Sequence, residues 1–192
     1  MKRILSAIAL VCGLAGCVHD GHSMTVKLTF DDGTCGGTII GTHSVLSASH
    51  CFAGAKSLSV DGKPVQVLRL ISDGNDHTVA VVGATYTHIA TFGPAAKVAD
   101  HIHIYGNPAD FVDLYRNGRV YGDEVVDGRT VTLWGLRIWL GDSGSGVFDN
   151  RGRLVGVVSF LYTFAAGSGT PVTNMAGGFP LTFTPEQLAQ IR

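Results

Sequence analysis

Short runs of apolar and β-branched residues, separated by turn residues, fill the sequence from Met24 onward. The run TVKLTF (25–30) alternates polar and apolar residues, and the segment DDGTCGG after it is rich in turn residues. Farther along, Asp61-Gly62 separates two more such runs and predicts a tight hairpin turn. Turn signals recur about every 8 to 12 residues, a spacing typical of all-β barrels and sandwiches. The sequence therefore predicts an all-β fold.

The one helical pattern lies at the C-terminus, in TPEQLAQIR (184–192). Thr184 is a suitable cap, Pro185 suits the first turn, and Leu188 and Ile191 would share one face. The least regular stretch before it, ATFGPAAKVAD (90–100), is the best candidate for a boundary between two halves of the fold. No sequence repeat relates the two halves.

Composition and charge restrict the classes of function. The 192 residues carry a formal net charge of -1, without any cluster of lysine or arginine, so nucleic acid is not expected as the main partner. Apolar residues make up 45% and charged residues 15%, which is typical of a folded chain. His101 and His103 could share a strand face and bind a metal, but a third ligand is not evident. We therefore expect a solvated strand there, and neither a metal nor another cofactor.

The N-terminal residues, MKRILSAIALVCGLAGC, are predicted to direct export rather than to join the fold. Lys2 and Arg3 precede an apolar run that is too short to span a bilayer. The end of this segment, LAGC, resembles the lipobox of bacterial lipoproteins. That resemblance implies a signal peptide over residues 1–16, acylation of Cys17, and a tether over residues 17–23.

A lipid on Cys17 would place the protein in the cell envelope, with the membrane as a partner. Val18 follows Cys17 at the position where aspartate favours retention in the inner membrane of enteric bacteria, so the anchor points to the outer membrane. The alternative is an ordinary signal peptide that is cut nearby, with Cys17 incidental. The localisation expected is therefore periplasmic or outer-membrane, by lipid anchor, or else secreted.

The four cysteines also favour an exported protein. Cys12 would leave with the signal peptide and Cys17 would carry lipid, so Cys35 and Cys51 remain as a pair. Closing a loop of this length with a disulfide stabilises a fold by roughly 3 kcal/mol in the chain-entropy model. A zinc site is the rival interpretation, but it needs three or four ligands, and the sequence contains no CxxC pair. We therefore predict a disulfide between Cys35 and Cys51.

The stretch WLGDSGSGVFDN (139–150) places Ser143 between glycines, directly before an apolar strand. Such a stretch is either a turn-rich loop between two strands or a nucleophile whose neighbouring N–H groups converge beside its hydroxyl. A serine that acts as a nucleophile at neutral pH needs a nearby base and a group that orients the base. Ser145 is the competing serine of this stretch.

Two other stretches supply a base and an acid. In SASHCF (47–52), His50 directly precedes Cys51, so a bridge to Cys35 would fix the backbone beside the imidazole. In GNDHTVAVV (74–82), Asp76 stands at the start of an apolar strand, where a carboxylate can be partly buried and still reach an imidazole. Asp73 is the competing acid. We favour Asp76 because the strand begins just after it, whereas Asp73 lies in the preceding turn.

Together these motifs resemble those of the chymotrypsin/trypsin-like serine proteases, in their compact bacterial and viral form. SASHC is similar to the family's histidine motif, ND before an apolar strand to its aspartate motif, and GDSGSGVF to its serine motif, in the family's order. The resemblance covers residues 24–192. It implies two six-stranded antiparallel β-barrels, over about 24–95 and 96–183, and a short C-terminal helix over about 184–192.

The same resemblance implies a role for each candidate residue. Ser143 would attack the scissile carbonyl, His50 would accept its proton and pass it to the leaving amine, and Asp76 would orient His50. The backbone N–H groups of Gly141 and Ser143 would form the oxyanion hole. The expected protein is a monomeric, exported serine endopeptidase that acts on polypeptides through an acyl-enzyme and needs no cofactor.

The sequence departs from the trypsin-like pattern in ways that affect activation and specificity. An IVGG-like activation segment is missing, so Asp142, which pairs with the freed amino terminus in digestive members, needs another partner or water. Arg137 stands where trypsin-like members carry the aspartate at the base of the substrate pocket. It would either repel a basic substrate residue or fold back to pair with Asp142. Ser159 and Leu161 are expected to line the pocket, and Leu161, in place of the usual glycine, favours small or aliphatic substrate residues.

Two other functions are consistent with the sequence. One is a catalytically silent barrel of the same fold that binds peptides or another envelope protein. The other is a disulfide-bonded structural lipoprotein in which the sequence GDSG is coincidental. The complete set of triad residues, together with Gly141 at the oxyanion position, favours the enzyme.

Overall fold

The computed structural model describes residues 21–109, 111–165 and 171–191. Within them, 3-10 helices at His22–Met24 and Ser49–Phe52 and an α-helix, α1 (Pro185–Leu188), accompany the strands. In chain order the strands are β1 (Thr25–Thr29), β2 (Thr34–Gly41), β3 (Ser44–Ala48), β4 (Ser59–Val60), β5 (Lys63–Pro64), β6 (Val67–Ser72), β7 (His77–Val82), β8 (His101–Gly106), β9 (Leu114–Val126), β10 (Arg129–Trp134), β11 (Gly146–Asp149), β12 (Leu154–Val157), β13 (Phe160–Ala165) and β14 (Pro171–Gly178).

The strands form two antiparallel sheets. The first has the order β5-β4-β1-β2-β3-β7-β6, and the second has the order β12-β11-β8-β9-β10-β14-β13. In each sheet the two edge strands follow each other in the chain, with residues 65–66 joining β5 to β6 and residues 158–159 joining β12 to β13. Because these links are so short, each sheet has to curve until its edges lie close together. The predicted all-β fold of two antiparallel barrels is confirmed.

Each sheet has seven strands, one more than the six predicted. In the first sheet, the hairpin at Asp61-Gly62 adds β4 and β5, whose two residues each are too few to show a strand pattern in the sequence. In the second sheet, the apolar run LVGVVSFLYTF (154–164) is divided at Val158-Ser159. There the chain leaves its pairing with β11 and begins to pair with β14.

The side chains of β7 point alternately into two different cores. Ala80 belongs to a core inside the first sheet, whereas Val79 belongs to a core shared between the two sheets. The shared core takes Leu46 from the first sheet, Phe148 from the second and Ile191 from the C-terminal segment. Burial of these apolar side chains holds the two sheets against each other.

The predicted disulfide between Cys35 and Cys51 is confirmed, with an S–S distance of 2.05 Å. It joins β2 to the 3-10 helix Ser49–Phe52, which follows β3. Both cysteines are buried in the core of the first sheet. The bridge therefore fixes the segment that contains His50.

The predicted signal peptide (1–16) and Cys17 lie outside the described residues, as does most of the predicted tether (17–23). From Gly21 onward the chain packs on the fold: Gly21 lies against the ring of Phe148, and Met24 is buried in the shared core. Within the described ranges, no helix has the length and apolar character to cross a membrane.

The C-terminal helix α1 (Pro185–Leu188) is shorter than the predicted range of 184–192. Thr184 and Gln187 form a capping box, since each donates its backbone N–H to the side chain of the other, at 2.8 and 3.2 Å. Ile191 is buried, but Leu188 is 41% exposed. The predicted apolar face is therefore wrong, because the helix ends at Leu188 and Ile191 reaches the shared core from beyond its end.

Candidate active site

His50 lies in the 3-10 helix Ser49–Phe52, directly after β3. Two links hold the backbone around it. The N–H of Ser49 donates to the carbonyl oxygen of Asp76 at 2.9 Å, and Cys51 is bonded to Cys35. The His50 side chain is 47% exposed. A short and doubly anchored turn thus presents an imidazole at the surface.

The imidazole of His50 contacts the carboxylate of Asp76. Nδ1 lies 3.0 Å from Oδ2 and 3.1 Å from Oδ1, and the backbone N–H of His50 donates to Oδ1 at 3.0 Å. An ionised carboxylate can only accept hydrogen bonds, so Nδ1 carries a proton. In the neutral ring, Nε2 is then the unprotonated nitrogen and is available as a base.

Each member of this pair shifts the pKa of the other. The hydrogen bond to Asp76 raises the pKa of His50 above 6.5 against the opposing effect of burial, and the negative charge of Asp76 adds to the rise. Burial by itself would raise the pKa of Asp76, but the hydrogen bonds and charge of His50 hold it below 3.8. Asp76 is therefore ionised at neutral pH, and His50 loses its proton at a higher pH than a free imidazole.

Asp73, the competing acid of the sequence, pairs with His77 instead. Nδ1 of His77 lies 2.7 Å from Oδ2 of Asp73, and both side chains are fully buried. Asp76 lies between these two residues in the chain but turns its carboxylate to His50. The turn therefore supplies the acid of two histidine–aspartate pairs, and the pair of Asp76 with His50 is the partly exposed one.

Ser143 lies in the loop that precedes β11, and this loop packs against the segment that contains His50. The carbonyl oxygen of Ser143 accepts a hydrogen bond from the N–H of Gly36 at 2.7 Å and lies 3.9 Å from Sγ of Cys51. Gly144 lies directly against Ser47, since a Cβ at position 144 would fall 1.9 Å from its hydroxyl oxygen. The second sheet thus brings Ser143 to the end of β3, beside the turn of His50.

The backbone amides of this loop fall into two groups. Asp142, Gly144 and Ser145 each donate to a backbone carbonyl oxygen, at 2.7 to 3.1 Å. In contrast, the N–H groups of Gly141 and Ser143 donate to no group in the described part of the chain. Gly141 has a φ of 100°, which glycine adopts without the steric cost that a side chain would add. Within the described ranges, the N–H of Ser143 itself and that of Gly141 are therefore left without an acceptor.

Asp142 is fully buried, and its partner is Arg116 of β9. Nη2 of Arg116 donates to Oδ1 at 2.6 Å while Nη1 donates to Oδ2, so the ion pair is bidentate. The N–H of Trp139 donates to the same carboxylate at 2.8 Å. The interpretation in which Arg137 folds back to Asp142 is wrong: the Arg137 side chain is exposed, and its carbonyl oxygen accepts from Arg116 at 3.0 Å.

Arg116 is the site residue that sequence reasoning missed. The sequence predicts that Asp142 needs another partner or water, but Arg116 stands 26 positions earlier and in no motif. With 14 lysines and arginines in the chain, the requirement alone does not select one of them. The selection depends on strand pairing within the second sheet, which sets Arg116 of β9 opposite Ile104 of β8.

The three predicted pocket residues differ in their surroundings. Ser159 is buried, and its hydroxyl is close enough to contribute to the lowered pKa of Asp76, although it has no partner in hydrogen-bonding geometry among the described residues. Leu161 is 45% exposed in β13, and Arg137 is exposed in the loop before Ser143. The closeness of Ser159 to Asp76 was not anticipated from the sequence.

His101 and His103, the metal alternative of the sequence, lie on β8. The ring of His103 packs among those of Tyr105, Tyr115 and Phe148, with centroids 5.8 to 5.9 Å apart, while His101 is exposed. Groups of three or more histidine, cysteine or acidic side chains that suit a metal ion are not found in the part of the chain that the structure describes.

Most of the chain is similar in fold to solved structures. Crystal structures of Rv3671c from M. tuberculosis are similar. A serine-to-alanine mutant in an inactive form has a TM-score of 0.68 at 18% identity and covers 98% of this chain and 96% of that chain. The active form of the Rv3671c protease has a TM-score of 0.70 at 19% identity and covers 89% of this chain and 82% of that chain.

Comparison of the sequence itself gives one family. No curated protein sequence matches the chain significantly. A family model described as the trypsin-like peptidase domain matches residues 33–157, which is more than half of the chain and includes His50, Asp76 and Ser143. The chain therefore belongs to the family of trypsin-like peptidase domains.

Proposed function

We propose that the protein is a serine endopeptidase in which Ser143 is the nucleophile, His50 the general base and Asp76 the acid that orients it. One observation carries this proposal: the loop of Ser143, with two amides that find no acceptor among the described residues, packs beside the hydrogen-bonded pair of His50 and Asp76. A nucleophile, an oriented base and paired hydrogen-bond donors are what acyl transfer requires.

In the proposed reaction, Oγ of Ser143 attacks the carbonyl carbon of a peptide bond while Nε2 of His50 accepts the hydroxyl proton. The carbonyl oxygen gains negative charge and accepts hydrogen bonds from Gly141 and Ser143. The C–N bond then breaks, His50 passes its proton to the leaving amine, and an ester remains on Ser143. Water attacks this ester with His50 again as the base, which releases the carboxylic acid and restores the Ser143 hydroxyl.

Two features of the site lower the barrier in this mechanism. Asp76 holds the tautomer in which Nε2 of His50 can accept a proton, and its charge stabilises the imidazolium that forms. The amides of Gly141 and Ser143 have no acceptor in the part of the chain that the structure describes, so they need not break a hydrogen bond there before they bind the developing oxyanion. Each such donor contributes about 3 kcal/mol to lowering the barrier.

The Arg116–Asp142 pair explains how the loop keeps its shape without an activation cleavage. Asp142 stands between Gly141 and Ser143, so three hydrogen bonds on its carboxylate also restrain the two neighbouring amides. The cation is a side chain of the same fold and is present as soon as β9 has formed. We infer that the enzyme matures without a new amino terminus at this site.

The proposed substrate class rests on the residues that the family resemblance assigns to the substrate pocket. By the family resemblance, Arg137 takes the place of the aspartate at the pocket base, and its charge would disfavour a lysine or arginine before the cut. Leu161 adds volume to the pocket wall and favours small or aliphatic residues over large aromatic ones. Trp139 and Leu140, which are 49% and 89% exposed directly before Gly141, offer apolar contacts to the same substrate.

Export and lipid anchoring form a second part of the proposal. The LAGC sequence at the end of the apolar N-terminal run supports acylation of Cys17. The disulfide between Cys35 and Cys51 supports a location in an oxidising compartment. We therefore place the protease in the cell envelope, attached to a membrane through Cys17, where it acts on polypeptides.

A randomised peptide library tests both the reaction and the substrate class. Ser143→Ala should reduce cleavage by about 1,000-fold or more, because the ester cannot form. Ser145→Ala is the matched control, since Ser145 lies two residues further in the same loop, is fully buried and should not be needed. Equal cleavage by wild type and Ser143→Ala would refute the mechanism.

The same library tests the substrate class. Cleavage mainly after small or aliphatic residues is expected, and cleavage mainly after Lys or Arg would contradict the assigned pocket.

A further inference from the structure

Asp73, beside the catalytic acid, is one of the most heavily hydrogen-bonded carboxylates in the described structure. Its Oδ1 accepts from the backbone N–H groups of Asn75 and His77, at 2.7 and 3.2 Å. Its Oδ2 accepts from Nδ1 of His77 at 2.7 Å and from the N–H of Thr182 at 3.0 Å, and the Thr182 hydroxyl lies 3.3 Å away. The Asp73 side chain is fully buried. Such a carboxylate holds several chain segments at once.

Two of these donors lie on either side of Asp76. Asn75 precedes it and His77 follows it, so both neighbours of Asp76 are tied to the same oxygen of Asp73. Asp76 itself has a φ of 69°, in the left-handed region that a residue with a side chain rarely adopts. The hydrogen bonds to Asp73 therefore impose the backbone geometry from which the Asp76 carboxylate reaches His50.

The same turn is attached to the chain segment that follows the second sheet. Besides the bonds from Thr182 to Asp73, Nδ2 of Asn75 donates to the Thr182 hydroxyl at 3.2 Å. Nε2 of Gln187 donates to the carbonyl oxygen of Ser72 at 2.7 Å. The second sheet also supplies Ser143. The turn of Asp76 is thus placed relative to the half of the molecule that contains the nucleophile.

We propose that Asp73 is a positioning residue, which together with Thr182 holds Asp76 in register with His50 and with the sheet that contains Ser143. This inference rests on the proposed function, because Asp76 needs exact placement only if it orients a catalytic base. Asp73 itself touches neither the substrate nor the reacting atoms. Its contribution is the shape of the turn and the distance between the two halves of the site.

The second sheet contains a matched control. Asp149 makes the same local bonds as Asp73: its Oδ1 accepts from the N–H groups two and four residues later, Arg151 and Arg153, both at 2.9 Å. Its Oδ2 accepts from the side chain four residues later, Nε of Arg153, at 2.8 Å. Asp149 lies at the far end of β11 from Ser143. Asp149→Asn therefore measures the effect of losing the same set of turn hydrogen bonds at a place where the turn holds no proposed catalytic residue.

The test is the rate of labelling by a fluorophosphonate probe, which needs only the nucleophile and its base. In Asp73→Asn we expect the limiting rate at saturating probe to fall by about 10- to 100-fold, with half-saturation changed by less than about twofold, because only the base is misplaced. The pH at half-maximal labelling should fall, since the Asp76 hydrogen bond that raises the pKa of His50 is weakened. Asp149→Asn should match wild type in the rate and in the pH midpoint.

Two other charged or titratable side chains contact this turn. His77 faces Asp73, and Arg129 donates to Oδ1 of Asn75 at 3.3 Å. His77→Gln serves as a check on the pH midpoint, because it removes the other imidazole of this region, which faces Asp73. A midpoint that moves in Asp73→Asn but not in His77→Gln assigns the titration to His50; equal shifts in both would overturn the role of Asp73 in placing Asp76.

A second pair of variants covers the case in which Asp73→Asn does not fold. Thr182→Val removes the hydroxyl at nearly constant volume, and Thr182→Ser keeps it. We expect slower labelling in Thr182→Val and a rate near wild type in Thr182→Ser. The proposal is overturned if both variants label like wild type, if both are slowed equally, or if Asp73→Asn and Asp149→Asn behave alike. Wild-type protein that does not label at all would refute the proposed function instead.

Discussion

The proposed mechanism gives His50 two roles that need opposite states of its imidazole. As an ion beside Asp76 it stabilises the fold, because a pKa raised by the Asp76 hydrogen bond means that the folded protein binds the proton more tightly. This contribution is complete below the pKa of about 6.5 for a free imidazole and is lost as the pH rises through the higher pKa of the folded state. Catalysis requires the neutral ring and is gained over the same interval.

The first prediction is that activity and stability change in opposite directions across this interval. Hydrolysis should rise with pH with a midpoint above 6.5, while the part of the unfolding free energy that depends on His50 declines. Measuring initial rates and urea unfolding in parallel between pH 5 and 9 checks both. Ser143→Ala is the control, since it should lose the rate but keep the stability profile. A rate that is flat from pH 5 to 8 would exclude a histidine base.

Of the individual residues in the site, the sequence predicts those that stand in local motifs. His50, Asp76 and Ser143 each stand in a short stretch with its own pattern, and the choice of Asp76 over Asp73 followed from where β7 begins. Arg116 has no such stretch, because its role depends on a buried acid in a different segment. The same holds for the closeness of Ser159 to Asp76, which arises only when the two sheets meet.

Among the secondary-structure elements, β9 has the clearest effect on the site. It supplies Arg116, which links the middle of the second sheet to the loop of Gly141 and Ser143 through Asp142. The Asp142 side chain is fully buried and that of Arg116 is 10% exposed, so neither charge is compensated by water. Removing one partner therefore leaves the other as an unpaired charge inside the protein.

The second prediction concerns this link. Arg116→Met should destabilise the fold by about 3 to 5 kcal/mol, as the loss of one member of a buried ion pair does, and should lower activity because the two amides are no longer held. Arg116→Lys should recover only part of both, since lysine cannot make the bidentate contact. Urea unfolding and hydrolysis rates measure the two effects.

Arg153→Met is the control for Arg116→Met. Arg153 pairs with Asp149, but its side chain is 33% exposed and Asp149 keeps two backbone N–H donors, so the loss should be smaller, about 1 kcal/mol. Activity should be unchanged. Equal destabilisation by Arg116→Met and Arg153→Met would contradict the special role of the buried pair.

The sequence predicted the elements where their patterns are long enough. The alternation of polar and apolar residues in β1 and the turn residues Asp61-Gly62 can be recognised in the sequence. In contrast, β4 and β5 have two residues each, which is too short for a recognisable pattern. Helix α1 starts at the predicted cap and ends earlier than predicted, because Ile191 gains more from burial in the shared core than from a further helical turn.

In the molecule as a whole, the candidate site lies where the two sheets meet. The first sheet and its following turns supply His50 and Asp76, and the second supplies Ser143. The hydrogen bond from Gly36 to Ser143, the contact of Gly144 with Ser47, and the shared core hold these parts together. The motifs in the sequence identify the participants, but their distances depend on how two separately formed sheets pack, which local patterns do not encode.

The most direct test of the whole account is to locate the residue that a fluorophosphonate modifies. Wild-type protein is labelled, digested and analysed by peptide mass spectrometry, with Ser143→Ala and Ser145→Ala treated in parallel. We predict a single adduct on Ser143 in wild type and in Ser145→Ala, and none in Ser143→Ala. Absence of an adduct in folded wild-type protein, or an adduct on any residue other than Ser143, would contradict the assignment of a serine nucleophile activated by His50 and Asp76.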